Sequence, residues 1–171
     1  RTLDACTTFD KRSWIANING LFELRDSQLI APKQKHPAFQ TRIEAIEELP
    51  DSTLVIGSKG YGLVFWKGDR TASLTEADGL TANMIETLTV DNKGNLWAGT
   101  LNGLNKVRWD WEGRFEIEKI TTAHGLPSNE ITDAAVWGNT VWVGTTKGLA
   151  SFQSSKPSLI SPAPILSAVL A

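Results

Sequence analysis

Short apolar stretches broken by turn-forming residues run the length of this chain, and they return at a nearly fixed interval. In the clearest copy Ile85, Leu88 and Val90 lead into the turn signal Asp91-Asn92-Lys93-Gly94. Leu96-Trp97-Ala98-Gly99-Thr100 follows, and a second turn closes on Gly103-Leu104. A later copy runs from Ile131 through Ala134 and Val136 to the turn Gly138-Asn139, then Val141-Trp142-Val143-Gly144-Thr145 and Gly148-Leu149. Looser copies run from Ile43 and Ile46 through Leu54-Gly57-Ser58 to Gly62-Leu63, and from Leu3–Phe9 through Trp14-Ile15-Ala16-Asn17 to Gly20-Leu21. The closing leucines 21, 63, 104 and 149 are spaced by 42, 41 and 45 residues. Repeats of this length dictate the architecture before any local assignment is made.

The chemistry of the unit is that of β-structure. Its stretches are short and rich in β-branched and aromatic residues, and its turns use glycine and asparagine, which tolerate positive φ. Phe115–Thr121 alternates so that Phe115, Ile117 and Lys119 share a face, the pattern of a further strand. Arg42–Leu49 can be drawn as a helix, but its register against the other copies argues for a strand. Four antiparallel strands per repeat make a propeller blade. The expected fold is therefore all-β, a partial propeller of four blades with up to four strands each, over residues 1–41, 42–83, 84–129 and 130–155, followed by a tail, 156–171. The fourth blade is expected to lack its outer strand, because Phe152 is followed by serine- and proline-rich sequence.

Each repeated position has a physical task. Trp14, Trp97 and Trp142 are placed to fill the gap between neighbouring blades. Gly57, Gly99 and Gly144, with Ala16 in the same column, allow an adjoining strand to approach closely. Asn17, Ser58, Thr100 and Thr145 come next, each able to hydrogen-bond into the following turn. These are structural positions.

Leu96-Trp97-x-Gly99-Thr100-x-x-Gly103-Leu104 and the preceding Gly79-Leu80-Thr81-Ala82-Asn83-Met84-Ile85, with its fuller form Gly125-Leu126-Pro127-Ser128-Asn129-Glu130-Ile131, resemble the two-component regulator propeller repeat. The resemblance is strong over residues 79–152 and weak over 1–63. It implies seven-bladed propellers in the periplasmic sensor region of bacterial hybrid histidine kinases, followed by an immunoglobulin-like domain whose opening strand Pro162–Val169 resembles. Four copies are fewer than seven blades need, and Arg1 has neither an initiator methionine nor a signal sequence before it. The expectation is the C-terminal part of a propeller cut from a longer protein, with an open edge through which two copies can associate.

Composition narrows the chemistry. A formal charge of −2 gives no footprint for nucleic acid, and the apolar run 165–171 is too short to span a bilayer. The single cysteine, Cys6, excludes an intrachain disulfide and reads as a small buried residue rather than a reactive thiol. His36 and His124 are the only histidines and stand in non-equivalent loops without metal-ligand spacing. Glu47 and Glu48 read as a solvated strand face. Lys59–Gly62 superficially resembles a phosphate loop but falls in the repeat's turn column as a one-residue insertion. No nucleophile elbow or acid/base pair stands out, so neither enzyme activity, cofactor nor metal is expected of this segment.

Function then belongs to the loops. The turns between second and third strands and the links between blades emerge on one face, and they offer Asn19, Lys59, Tyr61, Asn102, His124 and Lys147. This polar set with one aromatic suits a saccharide ring. Asn83 and Asn129 are read as turn-closers, and Trp109 and Trp111, which alternate about Asp110, as blade-edge packing, interdomain contact or a carbohydrate platform. The resemblance implies a non-catalytic periplasmic sensor or scaffold segment that senses oligosaccharide in the intact receptor and signals to a histidine kinase, in contact with the rest of the propeller and the immunoglobulin-like domain. A structural or protein-interaction propeller without a small-molecule ligand is the alternative.

Overall fold

The computed structural model describes residues 2–154 and 156–159. Among them the strands form four sheets of four antiparallel strands, each contiguous in sequence and laid down in simple order. The first holds β1 (Thr2–Thr7), β2 (Ser13–Asn17), β3 (Gly20–Arg25) and β4 (Gln28–Ile30). The second holds β5 (Ile43–Glu48), β6 (Leu54–Ser58), β7 (Leu63–Lys67) and β8 (Arg70–Leu74). In the third are β9 (Ile85–Val90), β10 (Leu96–Thr100), β11 (Gly103–Trp109) and β12 (Phe115–Ile120), and in the fourth β13 (Ile131–Trp137), β14 (Thr140–Thr145), β15 (Gly148–Gln153) and β16 (Lys156–Leu159). Arg42–Leu49 is a strand, as its register required. The first strands β1, β5, β9 and β13 stand side by side, so the sheets radiate from one axis as propeller blades.

The fourth sheet corrects one expectation. It has an outer strand, since β16 pairs with β15 through Phe152↔Leu159 and Gln153↔Lys156. Pro157 is compatible with this place because an edge strand leaves one row of N–H groups unpaired. The residues expected to open an immunoglobulin-like domain, from 160 onward, lie outside the described residues.

The core lies in the seams between blades. Trp14, fully buried, packs with Ile46, Ile56 and Val64 of the second blade, and Val55 and Leu63 pack with Leu88, Leu96 and Ala98 of the third. Trp97 is equally buried among Val141, Val143 and Phe152 of the fourth. Trp142 holds the same repeat position but is half-buried, and Leu149, whose counterparts Leu21, Leu63 and Leu104 are buried, is 40% exposed. No further sheet covers that face among the described residues. The small-residue column does what its size allows: a Cβ on Gly57 would come within 2.6 Å of Ile85 Cγ2, and one on Gly99 within 2.6 Å of Ile131 Cγ2. The next blade's first strand thus rests directly on backbone.

Candidate functional site

The turns between second and third strands are built alike. Thr100 and Thr145 donate their hydroxyls to the carbonyls of Gly103 at 2.9 Å and Gly148 at 2.8 Å, and Ser58 does the same to Gly62 at 3.2 Å. In the first blade Asn17 Oδ1 accepts from the Asn19 N–H at 2.7 Å. The links between blades share a device too. His36, Thr75 and Thr121 each precede a single 3₁₀ turn, namely Pro37–Gln40, Glu76–Asp78 and Thr122–His124. Asn83 Oδ1 accepts from Glu76 N–H at 2.8 Å and Asn129 Oδ1 from Thr122 N–H at 2.7 Å, so both asparagines pin these links.

The structure places the six predicted residues on this one face, each bonded within its own neighbourhood. Asn19 and Lys147 are exposed at their turn tips, as is Asn102, whose amide reaches Thr81 O at 3.4 Å. Tyr61 is 42% exposed and meets the His36 ring edge-on at 6.4 Å. His124 Nδ1 faces the Thr121 N–H and hydroxyl, both at 3.1 Å, so its ring closes the 3₁₀ turn. Lys59 is half-buried and its ammonium is taken by Glu86, with Glu44 at 3.8 Å. Ligand contact through Lys59 would have to break that pair. His36 is held below its ordinary pKa by burial, so its ring is neutral at pH 7.

Other residues proved to carry more than their patterns suggested. Glu47 and Glu48 are not a solvated face: both lie half-buried against the first blade. Glu48 Oε2 accepts from the Phe9 N–H at 2.7 Å, and Asp4 Oδ2 reaches across the same seam to the Ile46 N–H at 2.8 Å. Burial, and then the charge of Asp4, push the Glu47 carboxyl up to about 7. Burial, with Glu47, Glu48 and Asp4 beside it, drives the Cys6 thiol to about 11, which keeps it protonated and unreactive. Asp133 of the fourth blade also bonds across a seam, but to the preceding blade, accepting from Thr87 Oγ1 at 3.1 Å. The signal was in the sequence, since Asp4 and Asp133 fall in one repeat column. Trp109 stacks on Phe65 at 4.5 Å and Trp111 donates to Thr53 Oγ1 at 2.9 Å, so this pair packs the second seam.

Among the described residues no group of three His, Cys, Asp or Glu side chains could hold a metal ion. No described helix is long and apolar enough to cross a membrane.

Residues 79–102, from the glycine that ends a 3₁₀ turn through β9 and β10 to the turn at Asn102, match the model of the two component regulator propeller family. These residues are a two-component regulator propeller repeat. No protein of curated function matches the chain. Among solved structures, the extracellular domain of BT4673 from B. thetaiotaomicron, described in one structure as a hybrid two-component system and in another as a one-component system, is similar over 92% and 93% of this chain with a TM-score of 0.74 in both. Identity is 23% and 17%, and this chain spans only 21% and 24% of those chains. A virginiamycin B lyase from Staphylococcus aureus is similar over 98% of this chain and 56% of its own, with a TM-score of 0.73 and 12% identity. At such identities the likeness is one of fold: these blades are propeller blades.

Proposed function

We propose that this chain is a non-catalytic part of the extracytoplasmic sensor region of a two-component signalling protein. Its blades act as a rigid body that passes ligand-driven displacement towards a histidine kinase. The observation that carries this reading is the regulator-propeller repeat at residues 79–102, set in blades whose fold resembles the extracellular domain of a hybrid two-component system. Seams closed by whole tryptophans favour movement of the stack as a unit over internal deformation. Oligosaccharide is the ligand class, and the exposed Asn19, Tyr61, Asn102 and Lys147 supply hydrogen-bonding groups and one ring for it. The test uses the parent protein in its own cell. Replacing Tyr61 and Asn102 by Ala, at unchanged protein level, should shift the sugar dose that induces its regulated genes. Induction that is independent of every sugar would overturn the reading.

A protein-interaction propeller is the second reading, favoured by one observation. The same face exposes Ile18, Tyr61, Met84 and Leu101, each between 42% and 51%, and a row of apolar side chains suits a protein surface better than a sugar. A membrane helix and kinase encoded downstream select the first reading; a secretion or anchoring module selects the second.

A further inference from the structure

The first and second seams are built from the same parts, yet one is filled and the other is not. On the face opposite the candidate loops, Asp10 and Arg12 of the first blade hold the places of Asp51 and Thr53 of the second. Asp10 accepts from the Arg12 N–H at 3.3 Å and its guanidinium at 2.7 Å, just as Asp51 accepts from the Thr53 N–H at 3.0 Å and its hydroxyl at 2.9 Å. Lys11 and Ser52 adopt the same left-handed backbone, with φ of 67° and 65°.

Into the second seam the long turn between β11 and β12 folds Trp111. Its indole N–H meets Thr53 Oγ1, the Arg70 guanidinium lies over its ring at 4.5 Å, and Arg70 Nη2 donates to its carbonyl at 2.7 Å. The corresponding hairpin of the second blade turns through Gly68 and Asp69 alone, because Lys67 pairs directly with Arg70. This turn delivers no ring to the first seam, where the second blade contributes only Trp66 from β7. A cavity of about 210 Å³ stands there instead, lined by Trp14, Leu54 and Trp66 and rimmed by Arg12, Glu48 and Lys67. Its two indoles meet edge-to-face at 5.0 Å.

The geometry points to this first seam as a binding pocket for one pyranose unit of a glycan. The filled seam displays the chemistry its twin accepts: a flat ring with an apolar face and a hydrogen-bonding edge. The rim of the open seam alternates donors and acceptors in the pairs Arg12–Asp10 at 2.7 Å and Lys67–Asp51 at 3.0 Å, beside Glu48, which takes the Phe9 N–H at 2.7 Å. A sugar hydroxyl both donates and accepts and can satisfy this alternation. A simple anion would face the two carboxylates, and a simple cation the two basic groups. The volume lies below the ~300 Å³ at which drug-sized sites begin, which fits a single ring with the rest of the glycan projecting outward. This inference rests on the oligosaccharide reading above but moves the contact to the other face of the blades.

The test titrates the chain with methyl glucoside, galactoside, mannoside and xyloside, read by tryptophan fluorescence and saturation-transfer NMR, with N-acetyltryptophanamide as a non-sugar ring. One glycoside should bind saturably, and Arg12→Ala and Lys67→Ala should each weaken it about tenfold, the loss of roughly one hydrogen bond. Lys119→Ala, on the exposed outer strand β12 of the third blade, should leave it unchanged. If Arg12→Ala loses the fold, Lys67→Ala, whose side chain is exposed, still decides. Glycoside binding that ignores both changes but vanishes in Asn102→Ala overturns the seam and keeps the sugar reading. Binding of the tryptophan amide alone overturns the sugar chemistry of the seam, and silence from every probe overturns the pocket itself.

Discussion

Trp97 and Trp142 stand at the same place in successive repeats, but only Trp97 is enclosed on both sides. Trp97→Ala should therefore cost about 3–5 kcal/mol, the usual range for a buried large ring, and Trp142→Ala clearly less, as compared by urea midpoints. Asp91 is what holds the Trp97 ring in place: its carboxylate accepts from the Lys93 and Asn95 N–H groups, the Asn95 amide and Trp97 Nε1. Burial alone would raise its pKa, but the hydrogen bonds from Asn95 and Trp97 outweigh it and hold the carboxyl below its usual value. Its contribution is thus present above the ordinary carboxylate range and lost as pH falls through the depressed pKa. Glu47 has the opposite sign. Its folded pKa of about 7 exceeds its unfolded value of 4.5, so stability is intact below about 4.5 and declines as pH rises through 7. Glu47→Gln should be more stable than the parent at pH 8 and indistinguishable from it near pH 4, measured by thermal melts. The role of Trp97 was legible in the repeat. That of Glu47 was not, because its cover comes from Asp4 and Cys6 on a strand 41 to 43 residues away.

At the scale of the element, the hairpins and their turn-closing hydroxyls followed directly from local chemistry. So did the pinning asparagines, and Asn129→Ala should cost about 1 kcal/mol, the worth of one hydrogen bond, in a denaturation curve. Gly99→Ala tests the close approach between blades: the new methyl would lie 2.6 Å from Ile131 Cγ2 and 2.7 Å from Thr87 Cγ2. About 1–3 kcal/mol of overpacking is expected, and a neutral result would mean that the fourth blade can slide outward. The outer strand β16 was hidden by composition. Lys156-Pro157-Ser158-Leu159 has little strand propensity, and it pairs because the neighbouring β15 presents an unpaired edge. The turns that carry the loop residues follow from the repeat, but the capture of Lys59 by Glu86 depends on the insertion at Gly60-Tyr61 and on a link from the next blade.

For the whole molecule, the two end faces of the arc are the features that matter. Trp137, 82% exposed, Trp142 and Leu149 line one, and Leu24, 43% exposed, with Ile15 and Phe22 lines the other. If this chain is isolated, these faces should bring copies together, and light scattering should show a mass that grows with concentration. A strict monomer at high concentration would exclude such association. The internal closure of the sheets has a mechanical corollary. Each blade takes all of its described strands from one continuous stretch of chain, so no blade is stitched to another by a borrowed strand. Under tension the chain should come apart one blade at a time. Each rupture would release a contour set by the 41- to 45-residue spacing, at ~3.3–3.6 Å per residue, giving an evenly stepped trace in a force spectrometer.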